Sequence, residues 1–442
     1  MPDRHLTRGL VIAAPASASG KTTVTLALLR LLAREGCIVA PFKAGPDYID
    51  GAFHRAASAG RPCYNLDAYA MRPETIAGIL RAGAMGSELA VIEGVMGLFD
   101  GAANGDGATA DIAAQLKLPV LLVVDAARQS QSVAALVHGF RSFRDDVRVS
   151  GVVLNRVGTA RHETLLRKAL AGIDMPVVAV LPSDKKLALP SRHLGLVQAE
   201  ERGGLELFLD RAADWLHRHL DRAALDAALA PLQVEADAAL RPLAPLGQHI
   251  AVARDEAFAF AYPHLLQGWR EQGASLSFFS PLHGGSPDAH ADAIFLPGGY
   301  PELHAGKLAG NTRLMQGLRA AAMRQAAIYG ECGGFMLLGS SLTDGEGRQH
   351  AMADLLPIET SFAQRKRRLG YRRIVSLADT ALGPKGSRFR GHEFHYSVQM
   401  GRTDRAAALF AACDATGADL GPTGCRQGSV FGSYLHLIDR ED

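Results

Sequence analysis

Short apolar runs and helix-period stretches alternate along the first half of the chain. Runs at Leu10–Ala14, Cys37–Phe42, Leu89–Glu93, Val120–Asp125, Gly151–Asn155 and Val177–Leu181 have strand length. Between them the apolar residues fall at helical spacing, as with Leu26, Leu29, Leu32 and Ala33 after the first run. The alternation predicts a parallel sheet with helices on both faces and ligands at the C-terminal ends of its strands. A long helix is predicted over Leu205–Ala230, followed by PLQVEADAALRPLAPLGQ, whose three prolines and lack of a clean period mark a linker. A second alternating pattern then begins, with strands at His249–Ala253, Ser275–Phe279, Ala293–Leu296 and Ala327–Tyr329. The expected organisation is one α/β domain over residues 1–235, a linker over 236–247 and a second α/β domain over 248–442. There is no internal repeat and no low-complexity segment.

Composition narrows the class. The 442 residues are 48% hydrophobic and 21% charged, enough to bury large cores. A formal net charge of +2 gives no field that would favour nucleic acid. The five cysteines show no CxxC or Cys/His pairing, against a disulfide framework or structural zinc and for a reducing compartment. The opening MPDRHLTRGL lacks the apolar core of a signal peptide, and no run approaches the ~18 apolar residues of a membrane span. A cytoplasmic protein with no membrane partner is expected.

The first candidate site lies in LVIAAPASASGKTTVT, Leu10–Thr25. An apolar strand, a loop of small residues and Gly20-Lys21-Thr22 opening a helix form the context of a phosphate-binding loop. Backbone N–H groups at the helix N-terminus face an anion, lysine reaches the outer phosphates and the threonine hydroxyl suits Mg²⁺. Ser19, Gly20, Lys21, Thr22 and Thr23 are the expected ATP-binding residues. In GxxxxGK[ST] the first glycine would fall at Pro15, so only the second half of that motif is kept. After the second strand, PFKAGPDYIDGAFH places Lys43, Asp47, Tyr48 and Asp50 at the same sheet edge, with Lys43 beside the phosphate loop if the two strands are neighbours. After the third, VIEGVMGLFDG places Glu93 at a strand tip and Asp100 in a glycine-punctuated loop. Thr22, Asp47 and Glu93 could converge on a nucleotide-bound Mg²⁺. Asn155, ending the run GVVLN, either hydrogen-bonds an adenine edge or forms a turn.

The second is a thiol at a strand–helix elbow. In AAIYGECGGFMLLG a β-prone run ends in Gly330-Glu331-Cys332-Gly333-Gly334 before an apolar, helical segment. Flanking glycines let a nucleophile sit on a sharp turn, with the Gly333 N–H directed at an oxyanion. The helix N-terminus is expected to lower the thiol pKa. Gly298 and Gly299 in IFLPGGYPE offer further oxyanion donors. His436, expected at the end of the strand-like run in VFGSYLHLID, is the candidate base.

The motifs APASASGKTT, PFKAGPDYIDGAFH, EGVMGLFDG, LPGGYPE, YGECGGFMLLG, RLGYR, GHEFHYS and GSYLHL occur in order along the whole chain. In this the sequence resembles the family of cobyrinic acid and hydrogenobyrinic acid a,c-diamide synthases. The resemblance implies a dethiobiotin synthetase-like P-loop domain followed by a class I glutamine amidotransferase domain of flavodoxin-like α/β type. It implies amidation of the a and c acetate carboxylates of a corrinoid, with ATP and L-glutamine as co-substrates and Mg²⁺ as cofactor. ATP would convert each carboxylate to an acyl phosphate, Asp100 acting on substrate or intermediate and Tyr48 and Asp50 binding substrate. Cys332 and His436 would release ammonia, which an internal route would carry between the sites. A homodimer is among the assemblies the resemblance allows.

Three positions depart from the pattern. The family's Ser-Gly-x-Gly-Lys has Ala18 in place of its first glycine; if that position needs a positive φ, the alanine costs about 1 kcal/mol. Class I amidotransferases carry His-x-Glu where this chain has Ile438, which points to a thiol–histidine dyad. The run Arg365–Arg368 either binds substrate carboxylates or is a solvated face. His392, Glu393 and His395 are expected to form an interdomain polar cluster rather than a metal site. Two other readings are less favoured: cobyric acid synthase, which has a PFKAQNM-type segment, and a ParA/MinD-like nucleotide switch, which carries a lysine early in the loop.

Overall fold

The computed structural model describes residues 7–187, 191–192, 195–196, 204–402 and 407–441. Its contacts divide the chain into two compact units, Met1–Tyr69 with Ile76–Ala239 and Ala70–Thr75 with Leu240–Asp442.

In the first unit the strands are β1 (Arg8–Ala13), β2 (Val39–Ala44), β3 (Tyr64–Leu66), β4 (Leu89–Glu93), β5 (Val120–Asp125), β6 (Val149–Val157) and β7 (Val177–Pro182). They pair in parallel in the order β3-β2-β4-β1-β5-β6-β7. Every residue of β2 and β4 is buried, as a sheet covered on both faces requires. The helices relevant to the site are α1 (Lys21–Arg34) and α2 (Asp50–Ala57). The strand order corrects one expectation, since β4 separates β2 from β1 and Lys43 is not on a strand adjoining the phosphate loop. The predicted helix over 205–230 is two helices, α3 (Leu205–His217) and α4 (Arg222–Ala228). Asp221 divides them, because its carboxylate caps α4 by accepting the Ala224 N–H. In the proline-rich stretch that follows, Ala230–Pro231 pairs antiparallel with β1, and Leu232, Leu240, Leu243 and Leu246 are buried.

The second unit begins with β8 (His249–Ala253), β9 (Ser275–Phe279), β10 (Ala293–Leu296) and β11 (Ala327–Glu331), as the alternation predicts. A six-residue helix, α5 (Gly333–Leu338), follows β11 directly. The remainder is mostly antiparallel and includes the hairpin β12 (Arg368–Ser376) and β13 (Arg388–His395). The chain then returns to the parallel sheet as β14 (Val430–Ser433) and leaves it again as β15 (Leu435–Arg440). Numbered along the chain, the five parallel strands lie in the order 2-1-3-4-5, the flavodoxin-like arrangement. The single strand-like run expected around His436 is two strands in two sheets: β14 pairs with β11, and β15 pairs with β13.

Candidate functional site

The loop between β1 and α1 has the shape its composition implies. Gly20 has φ 92°, and a Cβ there would meet Asn155 Nδ2 at 2.2 Å, so both conformation and space demand glycine. Ala18 has φ 64°, so the left-handed strain expected of an alanine there is present. Asn155 Nδ2 donates to the Ser19 carbonyl at 2.9 Å, and the Ser19 hydroxyl donates to the Ala16 carbonyl at 2.8 Å. The Asn155 side chain thus braces the loop, and its Oδ1 accepts the Arg156 N–H. Lys21 Nζ donates to the Met96 carbonyl at 2.5 Å, in the glycine-punctuated loop after β4. Burial, with help from Lys43, lowers the Lys21 pKa from its ordinary value. Thr23 follows in the first turn of α1, half-buried.

Around this loop the acidic residues take different parts. Glu93, fully buried at the tip of β4, is the hub. Its Oε1 accepts from Thr22 Oγ1 at 2.6 Å and from Lys43 Nζ at 2.9 Å, and its Oε2 is 2.5 Å from His54 Nε2. Two cationic neighbours and the hydroxyl hold its pKa far below the ordinary carboxylate range, against burial. Lys43 reaches Glu93 because the two are register partners in the β2–β4 pair, and it also donates to Asp50 Oδ2 at 2.6 Å. His54 is held protonated: burial opposes the charge, but Cys63 and Glu93 push its pKa up to about 10. Asp47 Oδ1 accepts the N–H groups of Ile49 and Asp50, capping the start of α2. Asp100 Oδ2 accepts the Gly97 N–H, closing its loop on itself. Tyr48 is half-buried between Asp47 and Asp50.

Thr22, Lys43, Asp50, His54 and Glu93 therefore form one cluster on this unit. Among the described residues no group of three His, Cys, Asp or Glu side chains is arranged to hold a metal ion by itself. The Thr22 and Glu93 oxygens, 2.6 Å apart, are hard donors that fit a Mg²⁺ completed by phosphate oxygens and water. His54 was not singled out from the sequence. The available signal was its place four residues after Asp50, on the same helical face.

In the second unit Cys332 sits at the strained turn between β11 and α5, with φ 46° and ψ −103°. Its N–H donates to the Ser433 carbonyl at 2.8 Å. A Cβ on Gly298 would lie 2.3 Å from His436 Cε1, 3.1 Å from His436 Nε2 and 3.2 Å from Cys332 Cβ. One glycine is therefore wedged against both members of the pair. The Gly298 carbonyl accepts from the Phe260 N–H at 2.9 Å, which turns the N–H of the same peptide, that of Gly299, the opposite way. That nitrogen lies 3.1 Å from the place a Cβ on Gly333 would occupy, so the two glycine loops pack against each other.

The expected lowering of the thiol pKa is not found. Burial raises it, with Glu302, Glu331 and Glu393 adding to the effect, and only the Gly333 N–H opposes them. A six-residue helix and a single backbone donor do not offset full desolvation. His436 is neutral, its pKa lowered by burial to about 3. Thiol and imidazole are therefore both uncharged. In the expected polar cluster, Glu393 bonds Arg372 at 2.8 Å and His395 at 2.9 Å within the β12–β13 hairpin. Arg365 to Arg368 are exposed.

A family model described as the CobQ/CobB/MinD/ParA nucleotide binding domain matches residues 10–197, and one described as a CobB/CobQ-like glutamine amidotransferase domain matches residues 249–442. A hydrogenobyrinate a,c-diamide synthase of Brucella abortus biovar 1 (strain 9-941) is 56% identical over 98% of this chain and 98% of its own. The chain belongs to the hydrogenobyrinate a,c-diamide synthase family. Other members are similar over the same span. The synthase of Rhizobium meliloti (strain 1021) is 55% identical over 98% of this chain and 99% of its own, and that of Rhodobacter capsulatus is 49% identical over 98% of each. Seen within this synthase family, the two clusters fall one in each matched domain: the Thr22–Glu93 group in the nucleotide-binding model and Cys332 with His436 in the amidotransferase model. No helix among the described residues is long and apolar enough to cross a membrane.

Proposed function

We propose that this chain amidates the a and c acetate carboxylates of cobalt-free hydrogenobyrinic acid, using ATP and glutamine, in cobalamin biosynthesis. The observation that carries the reading is a phosphate loop joined to a buried carboxylate hub in one domain and a thiol–imidazole pair at a glycine elbow in the other. Membership of the synthase family and the names of its curated members support the substrate.

In this reading Ser19 to Thr23 wrap the phosphates with backbone N–H groups, Lys21 leaves the Met96 carbonyl for the outer phosphate, and Lys43 adds positive charge behind it. Mg²⁺, held by Thr22 and Glu93 with Asp47 nearby, would offset charge on the transferring phosphoryl group. Asp100 positions the carboxylate or its acyl phosphate, and Tyr48 and Asp50 contribute to substrate binding. In the other domain the Cys332 thiol passes its proton to His436 Nε2 as sulfur attacks the glutamine amide. The oxyanion rests on the N–H groups of Gly333 and the Gly298–Gly299 loop, and the imidazolium returns the proton to the departing nitrogen as ammonia leaves. Water then hydrolyses the thioester to glutamate. The ammonia attacks the acyl phosphate and releases phosphate.

The test is whether phosphate and glutamate release from ATP and glutamine both depend on added hydrogenobyrinic acid. Coupled release supports the reading, and corrinoid-independent turnover at the full rate of both contradicts it.

A further inference from the structure

The class I triad acid is missing from its usual place: Ile438 is fully buried, and its carbonyl accepts from His264 Nε2 at 2.8 Å. A carboxylate nevertheless faces the imidazole. We propose that Glu331, the residue immediately before the nucleophile, is the positioning residue for His436. When ionised, its carboxylate accepts the Nδ1–H, keeps Nε2 as the acceptor on the Cys332 side, and balances the imidazolium formed during attack. The inference rests on the glutaminase reading of Cys332 and His436.

The geometry is specific. Glu331 is 1% exposed at the end of β11. Its Oε1 accepts the Leu437 N–H at 3.0 Å and the Tyr329 hydroxyl at 2.9 Å, two anchors that fix the carboxyl plane. Its Oε2 lies 3.7 Å from His436 Nδ1. That separation is longer than a hydrogen bond, and such contacts in catalytic sites commonly tighten when substrate binds. Consecutive side chains of a regular strand face opposite ways. Here the turn at Cys332 breaks the alternation, so Glu331 lies on the Nδ1 side of the ring while Gly298 marks the space shared by Nε2 and Cys332 Cβ.

The surroundings point the same way. Burial drives His436 down to about 3 and Glu331 up to about 8, so either charge alone is disfavoured in this pocket. An imidazolium formed at His436 and a carboxylate at Glu331 would each offset the other's cost of burial. Besides burial, the groups that act on His436 are His392, His395 and Glu393. Glu393 is already bonded to Arg372 and His395, which leaves it unsuited to this role. Glu331 gains and loses no net proton in the cycle, since the thiol proton moves to Nε2 and on to the leaving nitrogen.

The experiment compares wild type, Glu331→Gln, Glu331→Asp and Cys332→Ala in the full chain. It reads glutamate release (kcat and glutamine KM), with ammonia-dependent amidation as the internal reference. Glutamine at 331 can keep both anchors, accepting from Leu437 and Tyr329, but its NH₂ faces Nδ1 and forces the other tautomer. The expected result is a loss of about 10²–10³-fold in kcat with KM little changed, of the order general-base orientation supplies. Glu331→Asp should recover at least part of that loss. Wild-type kcat in Glu331→Gln, a change confined to KM, or an aspartate variant no better than glutamine would overturn the inference. If Cys332→Ala releases glutamate as fast as wild type, the glutaminase reading fails instead, so the two failures are distinguishable.

Discussion

Thr22 Oγ1 donates to Glu93 Oε1 over 2.6 Å, joining the first turn of α1 to the tip of β4. The bond exists because β4 is the immediate parallel neighbour of β1, with Ile12 opposite Glu93. It makes the phosphate loop and the carboxylate hub one unit, and the first predictions follow from it.

Glu93→Gln should weaken use of Mg·ATP, with partial rescue by added Mg²⁺. Asp100→Asn should slow carboxylate activation with little change in Mg²⁺ dependence, because Asp100 is tied to Gly97 and has no contact with Thr22 or Glu93 among the hydrogen bonds described. Mg²⁺ titrations of amidation rate in both variants decide the matter. Superimposable curves would mean that Glu93 and Asp100 serve one site.

Lys21→Ala should remove amidation with either glutamine or ammonia, since activation precedes nitrogen attack. Normal ammonia-dependent turnover in this variant would place ATP binding away from the Gly20-Lys21-Thr22 turn.

Gly298→Ala should reduce glutamine-dependent amidation by about 10²-fold or more, a loss in the range one displaced catalytic group produces. The added Cβ would stand 2.3 Å from His436 Cε1 and 3.2 Å from Cys332 Cβ, and one of them must move. Ammonia-dependent amidation should persist. An alanine variant with full glutaminase activity would show that the pair is not packed as described.

His264 gives a pH prediction. It is fully buried, donates from Nε2 to the Ile438 carbonyl, and burial lowers its pKa to about 4. The folded value is below the unfolded one, so the unfolded chain binds more protons between the two. Stability from this group is complete above the unfolded pKa of about 6.5 and is lost as pH falls towards 4. His264→Gln removes the titration, so its melting temperature should approach or overtake wild type between pH 7 and pH 5. A constant difference across that range would contradict the assignment.

Much of the architecture was legible because buried parallel strands write continuous apolar runs between helical periods. The runs beginning at Leu10, Leu89, Val120, His249 and Ala293 are all strands. The short β3, Tyr64–Leu66, left too brief a run to register, and the division at Asp221 was hidden by continuous helical spacing on both sides. Strand order was beyond reach, since no local pattern says that β4 lies between β1 and β2. Gly20 and Gly298, with Lys21, Thr22 and Cys332, were readable as candidates because their local geometry depends on neighbours in sequence. Glu331 and His54 were not, because their partners, His436 and Glu93, come from distant strands. The thiol's raised pKa was misjudged for a related reason: the motif shows the helix N-terminus but not the burial that outweighs it.

The central claim is that one chain activates a corrin carboxylate and supplies it with nitrogen from glutamine. The most direct test is mass spectrometry of products formed from hydrogenobyrinic acid, ATP and glutamine carrying heavy nitrogen in its amide, with cobyrinic acid offered in parallel. The account predicts a hydrogenobyrinic acid product in which two carboxylates have become labelled amides, and no labelled product from Cys332→Ala unless labelled ammonia replaces glutamine. Recovery of unmodified hydrogenobyrinic acid from the wild-type reaction, or label incorporation by Cys332→Ala from glutamine, would contradict it.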